Sequence, residues 1–274
     1  MAITADEFNY VRNLLRDQAA IIIEPGKEYL VENRLTPLAQ KMGLPGVSHL
    51  IARLRSDPVN GAHHKAVEAL TIGETLFFRD LHPFEALRKQ LIPELMQKRQ
   101  SVRSLRIWCG ACSTGQEPYS VALTIREYFP QLKDWQVRIL ATDINTESLE
   151  RARSGIYTQL EVNRGMPAML LVKHFKKLPD QNWQINPEIR AMVEFQELNL
   201  ARPLPPSPLF DLIFLRNVLI YFDTVTKQNI LQGVRSRLAP DGYFFLGSSE
   251  TTLYVDEAFE TVNLGKTVAY RKKQ

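Results

Sequence analysis

Apolar residues in the N-terminal part of the chain recur at helical spacing. Phe8, Val11 and Leu15 follow i, i+3, i+7. Val31, Leu35, Leu38 and Met42 follow i, i+4, i+7, i+11, and Gly43 stands where a C′ residue belongs. Val47, Leu50 and Leu54 mark another short helix, stopped at Asp57-Pro58, and a further one is expected from about His63 to Leu70. Residues 1–82 therefore read as a small all-helical domain. Within it TIGETLFFRD (71–80) fits no simple amphipathic pattern and predicts a turn whose polar groups, Thr75 and Arg79, point at a ligand. Pro83 then opens a helix with Phe84, Leu87, Leu91 and Leu95 on one face, bent or restarted at Pro93. Residues 83–100 read as a basic connector, because Arg88, Lys89, Lys98 and Arg99 are opposed by Glu94 alone from Leu87 onward.

From about Ser101 the period changes, and residues 101–274 read as alternating strands and helices. Leu105, Ile107 and Trp108 end a buried strand that breaks into Gly110, Ala111, Ser113, Thr114 and Gly115, and Glu117-Pro118 opens a helix. Glycine lets the backbone turn sharply there and approach a ligand where a Cβ would collide. Free N–H groups at such a helix start favour a polar ligand. WQVRILATDI (135–144) is a second strand ending in Asp143, followed by a helix capped at Asn145 or Thr146 with Leu149, Ala152 and Ile156 inward. An excursion of mostly β character is expected at about 175–197, with Met192–Phe195 leading to Leu198-Asn199-Leu200. Phe210–Leu215 has the unbroken apolar character of a central parallel strand and ends at Arg216-Asn217. A helix carrying Val225, Ile230 and Val234, a turn at Pro240-Asp241-Gly242, a strand Tyr243–Leu246 and a closing strand Thr267–Tyr270 complete a doubly wound α/β sheet.

Composition adds little to this picture. The chain has 274 residues, 45% hydrophobic and 23% charged, with a net charge of +4. That suits a soluble domain pair and permits an acidic partner without demanding nucleic acid. No run nears the roughly 18 apolar residues of a membrane helix, and MAITADEFNY lacks a signal-peptide pattern. Two cysteines, Cys109 and Cys112, cannot build a disulfide framework or complete a tetrahedral metal site, so no metal is expected. These features predict a cytoplasmic protein, with nothing requiring more than a monomer.

Ligands of open α/β sheets lie beyond the carboxyl ends of the strands. Those ends carry the glycine turn with Glu117, then Asp143, Asn199, and Arg216-Asn217. An acidic residue after the second strand can accept hydrogen bonds from both ribose hydroxyls, which points to an adenosine ligand. No Gly-Lys-Ser/Thr follows the turn, which disfavours a P-loop. More ordinary roles remain open: Asp143 as a helix cap, Arg79 in a surface ion pair, Tyr221 in packing, and the basic residues Arg34, Lys41, Arg53, Arg55 and Lys65 as a solvated face.

Five motifs in order, ETLFFRD, WCGACSTGQEPYS, ATDI, RARSGIY and RNVLIYFD, closely resemble chemotaxis receptor methyltransferases of the CheR type, over nearly the whole chain. The resemblance implies a Rossmann-like, S-adenosylmethionine-dependent enzyme that methylates glutamate side chains on the cytoplasmic methylation helices of chemoreceptors and is recruited to receptor arrays. By motif, it implies that Thr75 and Arg79 contact the methionine end of the cofactor, with Gly73 and Gly110 close by. Glu117 would hold the ammonium and Asp143 the ribose. Asn199 and Leu200 would flank the adenine, and Arg216 and Asn217 would line the site below the sulfonium. Tyr221, with Arg79, would position the acceptor carboxylate, and Arg53 and Arg55 would dock the receptor.

Two departures stand out. Many relatives carry Asn where this chain has Gly73. Relatives that grip a receptor's C-terminal pentapeptide carry a glycine-containing hairpin in the excursion, whereas Leu178–Leu198 contains no glycine, so docking without that tether is expected. Competing readings are a nucleic-acid methyltransferase, disfavoured because Arg-Asn-Val-Leu replaces an Asn-Pro-Pro-Tyr type site, and a non-catalytic adenosine-binding adaptor.

Overall fold

The computed structural model describes residues 3–273; Met1, Ala2 and Gln274, which the expected domain spans include, lie outside it. Four helices, α1 (Ala5–Ala19), α2 (Glu28–Lys41), α3 (Val47–Ser56) and α4 (Gly61–Leu70), bury the expected stripes in one apolar cluster containing Phe8, Val11, Leu15, Val31, Leu35, Leu50 and Leu54. A capping box at Thr4 starts α1 and another at Asn60 starts α4.

Residues 83–100 are not a free connector. They form α5 (His82–Ala86), a π-helical turn over Leu87–Leu91 and α6 (Ile92–Lys98). Phe84, Leu87, Leu91, Ile92 and Leu95 all sit in the core of the sheet domain. The π turn ends just before Pro93, which lacks an N–H and crowds the preceding turn, so the helix restarts there. Arg99, one of the basic residues that Glu94 alone was expected to oppose, is bound to Asp211 at 2.8 Å and to Asp241 at 2.6 and 3.0 Å.

The sheet domain contains β1 (Ser104–Gly110), α7 (Gln116–Tyr128), β2 (Gln136–Asp143), α8 (Thr146–Ser154) and β3 (Ile156–Tyr157). It continues with α9 (Gln159–Asn163), α10 (Ala168–His174), β4 (Phe175–Lys177), β5 (Trp183–Ile185), α11 (Pro187–Arg190) and β6 (Val193–Glu197). Then come β7 (Phe210–Phe214), α12 (Thr224–Arg237), β8 (Leu238–Phe245), β9 (Phe259–Asn263) and β10 (Val268–Lys272). The strand order is β6-β2-β1-β7-β8-β10-β9. The first five run parallel, and β10 is antiparallel to both its neighbours. Along β7, Leu212 and Phe214 enter one core while Ile213 and Leu215 enter the other, as period-2 burial between two helical layers requires. The order reverses between β1 and β7, and this opens a crevice above their carboxyl ends.

Several boundaries differ from expectation. The small sheet, β3-β5-β4, reaches back to Ile156, and the expected end of the excursion, Val193–Glu197, is the edge of the main sheet. Helix α8 stops at Gly155 in the left-handed region, so Ile156 begins β3 rather than extending the helix. Val225 is exposed on α12, while Ile230 and Val234 are buried. No turn separates Pro240 from Tyr243. Strand β8 runs through them with a register irregularity opposite Phe210–Leu212, where a Cβ on Gly242 would meet the Asp211 carbonyl at 2.9 Å. The last expected strand is not the edge, because β9 flanks it. Among the described residues no helix is long and apolar enough to cross a membrane.

A contact of high specificity joins the two domains at α4 and α8. The buried carboxylate of Glu68, on α4, accepts from the Thr146 backbone N–H at 2.5 Å and its hydroxyl at 2.6 Å, while the Glu68 carbonyl accepts from Asn145 Nδ2 at 3.0 Å. The helical domain thereby places a negative charge at the N-terminus of α8, next to the carboxyl end of β2. Replacing Glu68 by Ala leaves the half-buried N–H and hydroxyl of Thr146 without this partner. A loss of about 1–3 kcal/mol in unfolding free energy is expected in a denaturant titration; an unchanged midpoint would contradict this.

Candidate functional site

A cleft of about 880 Å³, counting its open mouth, lies over the carboxyl ends of β1, β2, β6 and β7. Ala111, Ser113 and Glu117 form its floor, from the turn after β1 and the first turn of α7. Asp143, Ile144 and Asn145 follow β2, and Leu198, Asn199 and Leu200 follow β6. Arg216, Asn217 and Tyr221 come from the segment after β7. The interdomain turn covers the site with Gly73, Glu74, Thr75 and Arg79, and the end of α1 adds Ala19 and Ile21. Ten of the site residues named from the sequence therefore surround one space. Gly110 does not line it: its missing Cβ makes room for Leu215 Cδ1, which a Cβ would meet at 2.7 Å.

Arg216 is the hub. Its side chain is 1% exposed and reaches Glu117 Oε2 at 2.6 Å, Asp80 Oδ2 at 2.5 Å and the Arg79 carbonyl at 3.1 Å. Asp80 belongs to a turn in which Phe78, Asp80 and Leu81 have φ of 50°, 65° and 45°, a left-handed conformation that non-glycine residues adopt at a cost. The Phe78 N–H donates to the Ser120 hydroxyl on α7 at 2.9 Å. The sequence marked this segment as a turn, but not that Arg216 holds it. Burial raises the Glu117 carboxyl above its usual range, and the Arg216 charge opposes the rise.

Asp143 accepts from the Ser113 N–H at 2.7 Å through one oxygen and from the Asn145 N–H at 2.9 Å through the other. It thus ties the glycine turn to the start of α8, and each oxygen keeps a lone pair for a ligand. Burial pushes its carboxyl upward, and these backbone N–H groups hold it down. At Gly73 the missing side chain is replaced by a main-chain link: the Ser113 hydroxyl donates to the Gly73 carbonyl at 2.6 Å, and a Cβ would lie 3.1 Å from that oxygen. Asn199 is drawn partly away from the cleft, since its Nδ2 donates to the Gln18 carbonyl at 2.7 Å and anchors the end of α1.

Tyr221 is half-buried and lines the cleft. Burial raises its phenol, the nearby Arg79 charge lowers it, and the net direction is upward, so the hydroxyl stays protonated near neutral pH. Arg79 donates to the Glu74 carbonyl at 3.2 Å and leaves the rest of its guanidinium facing the cleft. Cys109 and Cys112 are buried free thiols pushed far upward by that burial, which suits turn packing.

The basic residues of the helical domain are dispersed into separate contacts. Arg55 binds Asp6 at 2.8 Å and lies over the Tyr10 ring; Arg34 donates to the Thr71 and Leu70 carbonyls; Lys41 meets Glu147 at 3.5 Å. Arg53 keeps a loose pair with Asp57 at 3.7 Å and is half exposed.

The donor set of the cleft suits an adenosyl amino acid. A carboxylate such as Glu117 is complementary to an ammonium, a guanidinium such as Arg79 to a carboxylate and a two-oxygen acceptor such as Asp143 to a diol, while Ile21, Ile144, Leu198 and Leu200 offer apolar surface. Comparison with known proteins agrees. Residues 73–268 match the CheR methyltransferase SAM-binding domain, and residues 6–71 match the CheR methyltransferase all-alpha domain. The chain is 36% identical to a chemotaxis protein methyltransferase of Pseudomonas putida, covering 97% of this chain and 98% of that one. It is 37% identical to chemotaxis protein methyltransferase 1 of Pseudomonas aeruginosa over the same shares. It is 34% identical to a chemotaxis protein methyltransferase of Vibrio parahaemolyticus, over 100% of this chain and 99% of that one.

Two outcomes follow from the electrostatics. Asp143→Ala removes the diol acceptor and two backbone anchors, and calorimetry should show S-adenosylhomocysteine binding weakened by about tenfold or more. An unchanged affinity would remove Asp143 from the site. A carboxylate attracts an ammonium only when ionised, and the Glu117 carboxyl is raised, so if Glu117 takes the ligand's ammonium, affinity should fall on acidification from a pH above the ordinary carboxylate range. A flat profile down to about pH 4.5 would contradict that role.

Proposed function

The chain belongs to the CheR family of S-adenosylmethionine-dependent chemotaxis methyltransferases, and on that premise we propose that its acceptors are glutamate side chains on the cytoplasmic helices of chemoreceptors, converted to methyl esters. The observation that carries the proposal is the pairing of a protonated phenol, Tyr221, with the Arg79 guanidinium on the same cleft as Glu117 and Asp143. Both groups are suited to a carboxylate.

The bound cofactor supplies a methyl group on a sulfonium, which leaves readily. A glutamate carboxylate is already a nucleophile at neutral pH, so the protein need not remove a proton from it. Tyr221 donates a hydrogen bond to the acceptor carboxylate and turns one oxygen toward the methyl. Arg79 offsets the charge that accumulates as two carboxylates, from cofactor and acceptor, approach each other. Glu117 holds the amino-acid end of the cofactor and Asp143 its ribose, with Glu117 kept in place by Arg216. Ile21 and Leu200 shield the adenosine from water. Catalysis is then chiefly alignment and desolvation.

The receptor docks directly, without a pentapeptide tether, against the exposed basic residues of the helical domain. Arg53 and Lys65 carry that contact, and Arg55 contributes only at the edge because Asp6 engages it. Receptor-bearing membranes incubated with methyl-labelled cofactor should acquire base-labile label on the receptor, at the same rate when the receptor's last five residues are deleted. Label on nucleic acid, or none on protein, would overturn the acceptor assignment. Arg53→Glu with Lys65→Glu should slow receptor methylation several-fold at low salt and leave S-adenosylhomocysteine affinity unchanged; an unaffected rate would reduce the face to solvated charge.

A further inference from the structure

The carboxyl end of β8 carries a second acidic residue that the sequence did not single out, Glu250 in the segment Gly247-Ser248-Ser249-Glu250. Its carboxylate accepts four backbone N–H groups. Oε2 takes those of Asn217 at 2.6 Å and Gly247 at 2.7 Å; Oε1 takes those of Leu219 at 2.7 Å and Ile220 at 3.3 Å. Three of the four lie in the segment between Arg216 and Tyr221, which leads into the 3-10 turn Leu219–Tyr221. Asn217 has φ of 59°, in the left-handed region that asparagine tolerates better than most residues, and its N–H is held there by Glu250. Gly247 leaves room for the clamp. A Cβ there would stand 2.5 Å from Asn217 Nδ2 and 2.8 Å from Glu250 Oε2.

We propose that Glu250 is a positioning residue for methyl transfer: by binding the N–H groups of Asn217, Leu219 and Ile220 it sets the turn that presents Tyr221 to the acceptor. It acts from behind the segment and lines a separate hollow bounded by Asp80, His82, Lys266 and Thr267, not the cofactor cleft. Charge-assisted bonds to backbone N–H groups are short and directional, so one carboxylate can fix both ends of a four-residue stretch. Its negative charge also acts to keep the nearby Tyr221 phenol protonated, in the sense that hydrogen-bond donation requires. Glutamine in its place keeps one acceptor oxygen and brings an NH2 toward N–H groups that need acceptors.

The proposal rests on the role given to Tyr221 above, so its test is a double-mutant cycle that separates the two. Wild type, Glu250→Gln, Tyr221→Phe and the double variant are compared for the rate of methyl transfer to receptor-bearing membranes at saturating cofactor. S-adenosylhomocysteine affinity and melting temperature are measured beside it. Each single variant should lose about tenfold or more in rate, cofactor affinity should stay within about threefold, and the double variant should be no slower than the slower single one. Gly247→Ala, which displaces the carboxylate without removing its charge, should reproduce the loss and stands in for Glu250→Gln should that variant not fold. Additive losses, an unchanged rate in Glu250→Gln, or a rate loss matched by an equal loss of cofactor affinity would overturn the role of Glu250 alone. A wild-type rate in Tyr221→Phe would overturn the reading of Tyr221, and the positioning role with it.

Discussion

A buried guanidinium holds the cofactor cleft together. Arg216 leaves β7 at the point where strand order reverses, and its charge would be costly there without partners, by several kcal/mol. Glu117 and Asp80 supply them, one from the helix after the glycine turn and one from the interdomain turn. The same contact therefore places a carboxylate in the wall of the cleft and fastens a turn of left-handed residues over it. Strain in that turn, on the order of 1–3 kcal/mol per residue, persists because Arg216 and Ser120 hold it from below. Losing the arginine would strand two carboxylates and release the turn together.

The cleft is also an interdomain object. Ala19 and Ile21 reach it from α1, and Asn199, Arg202 and Glu68 tie the two domains around it through bonds to Gln18, Asp17 and Thr146. The helical domain thus helps to wall the cleft. A receptor contact on that domain and the cofactor contact would then share one rigid body, which suits an enzyme whose chemistry is mostly alignment.

Much of this was legible in the sequence. Strand ends are read as places where apolar runs break into small or polar residues, and Glu117, Asp143, Asn199 and Arg216 all met that description. Helical periodicity found α1 to α4 because each buries one narrow stripe. The connector was misread because its basic residues were counted without their partners; Arg99 meets Asp211 and Asp241, more than a hundred positions away. Asp241 reads as a turn residue in the sequence because its partner Arg99 is equally distant. Glu68 and Glu250 carry no sequence signal for their contacts because their carboxylates bind mainly backbone N–H groups, with the Thr146 hydroxyl added at Glu68, and a backbone donor leaves no mark in the sequence. Glu250 alone had a positional signal, as a polar residue just beyond a strand's carboxyl end. Gly73 was noted as a departure from its relatives, but the Ser113 hydroxyl that meets its carbonyl could be found only in three dimensions.

A crystal structure of the complex with S-adenosylhomocysteine would show whether the four strand ends and the interdomain turn serve a single adenosyl ligand. Its amino group should lie within hydrogen-bond reach of Glu117, its ribose hydroxyls on Asp143, its carboxylate at Arg79 and its base between Leu200 and Ile21. A ligand bound elsewhere, or one that leaves the Glu117 and Asp143 carboxylates untouched, would contradict that arrangement.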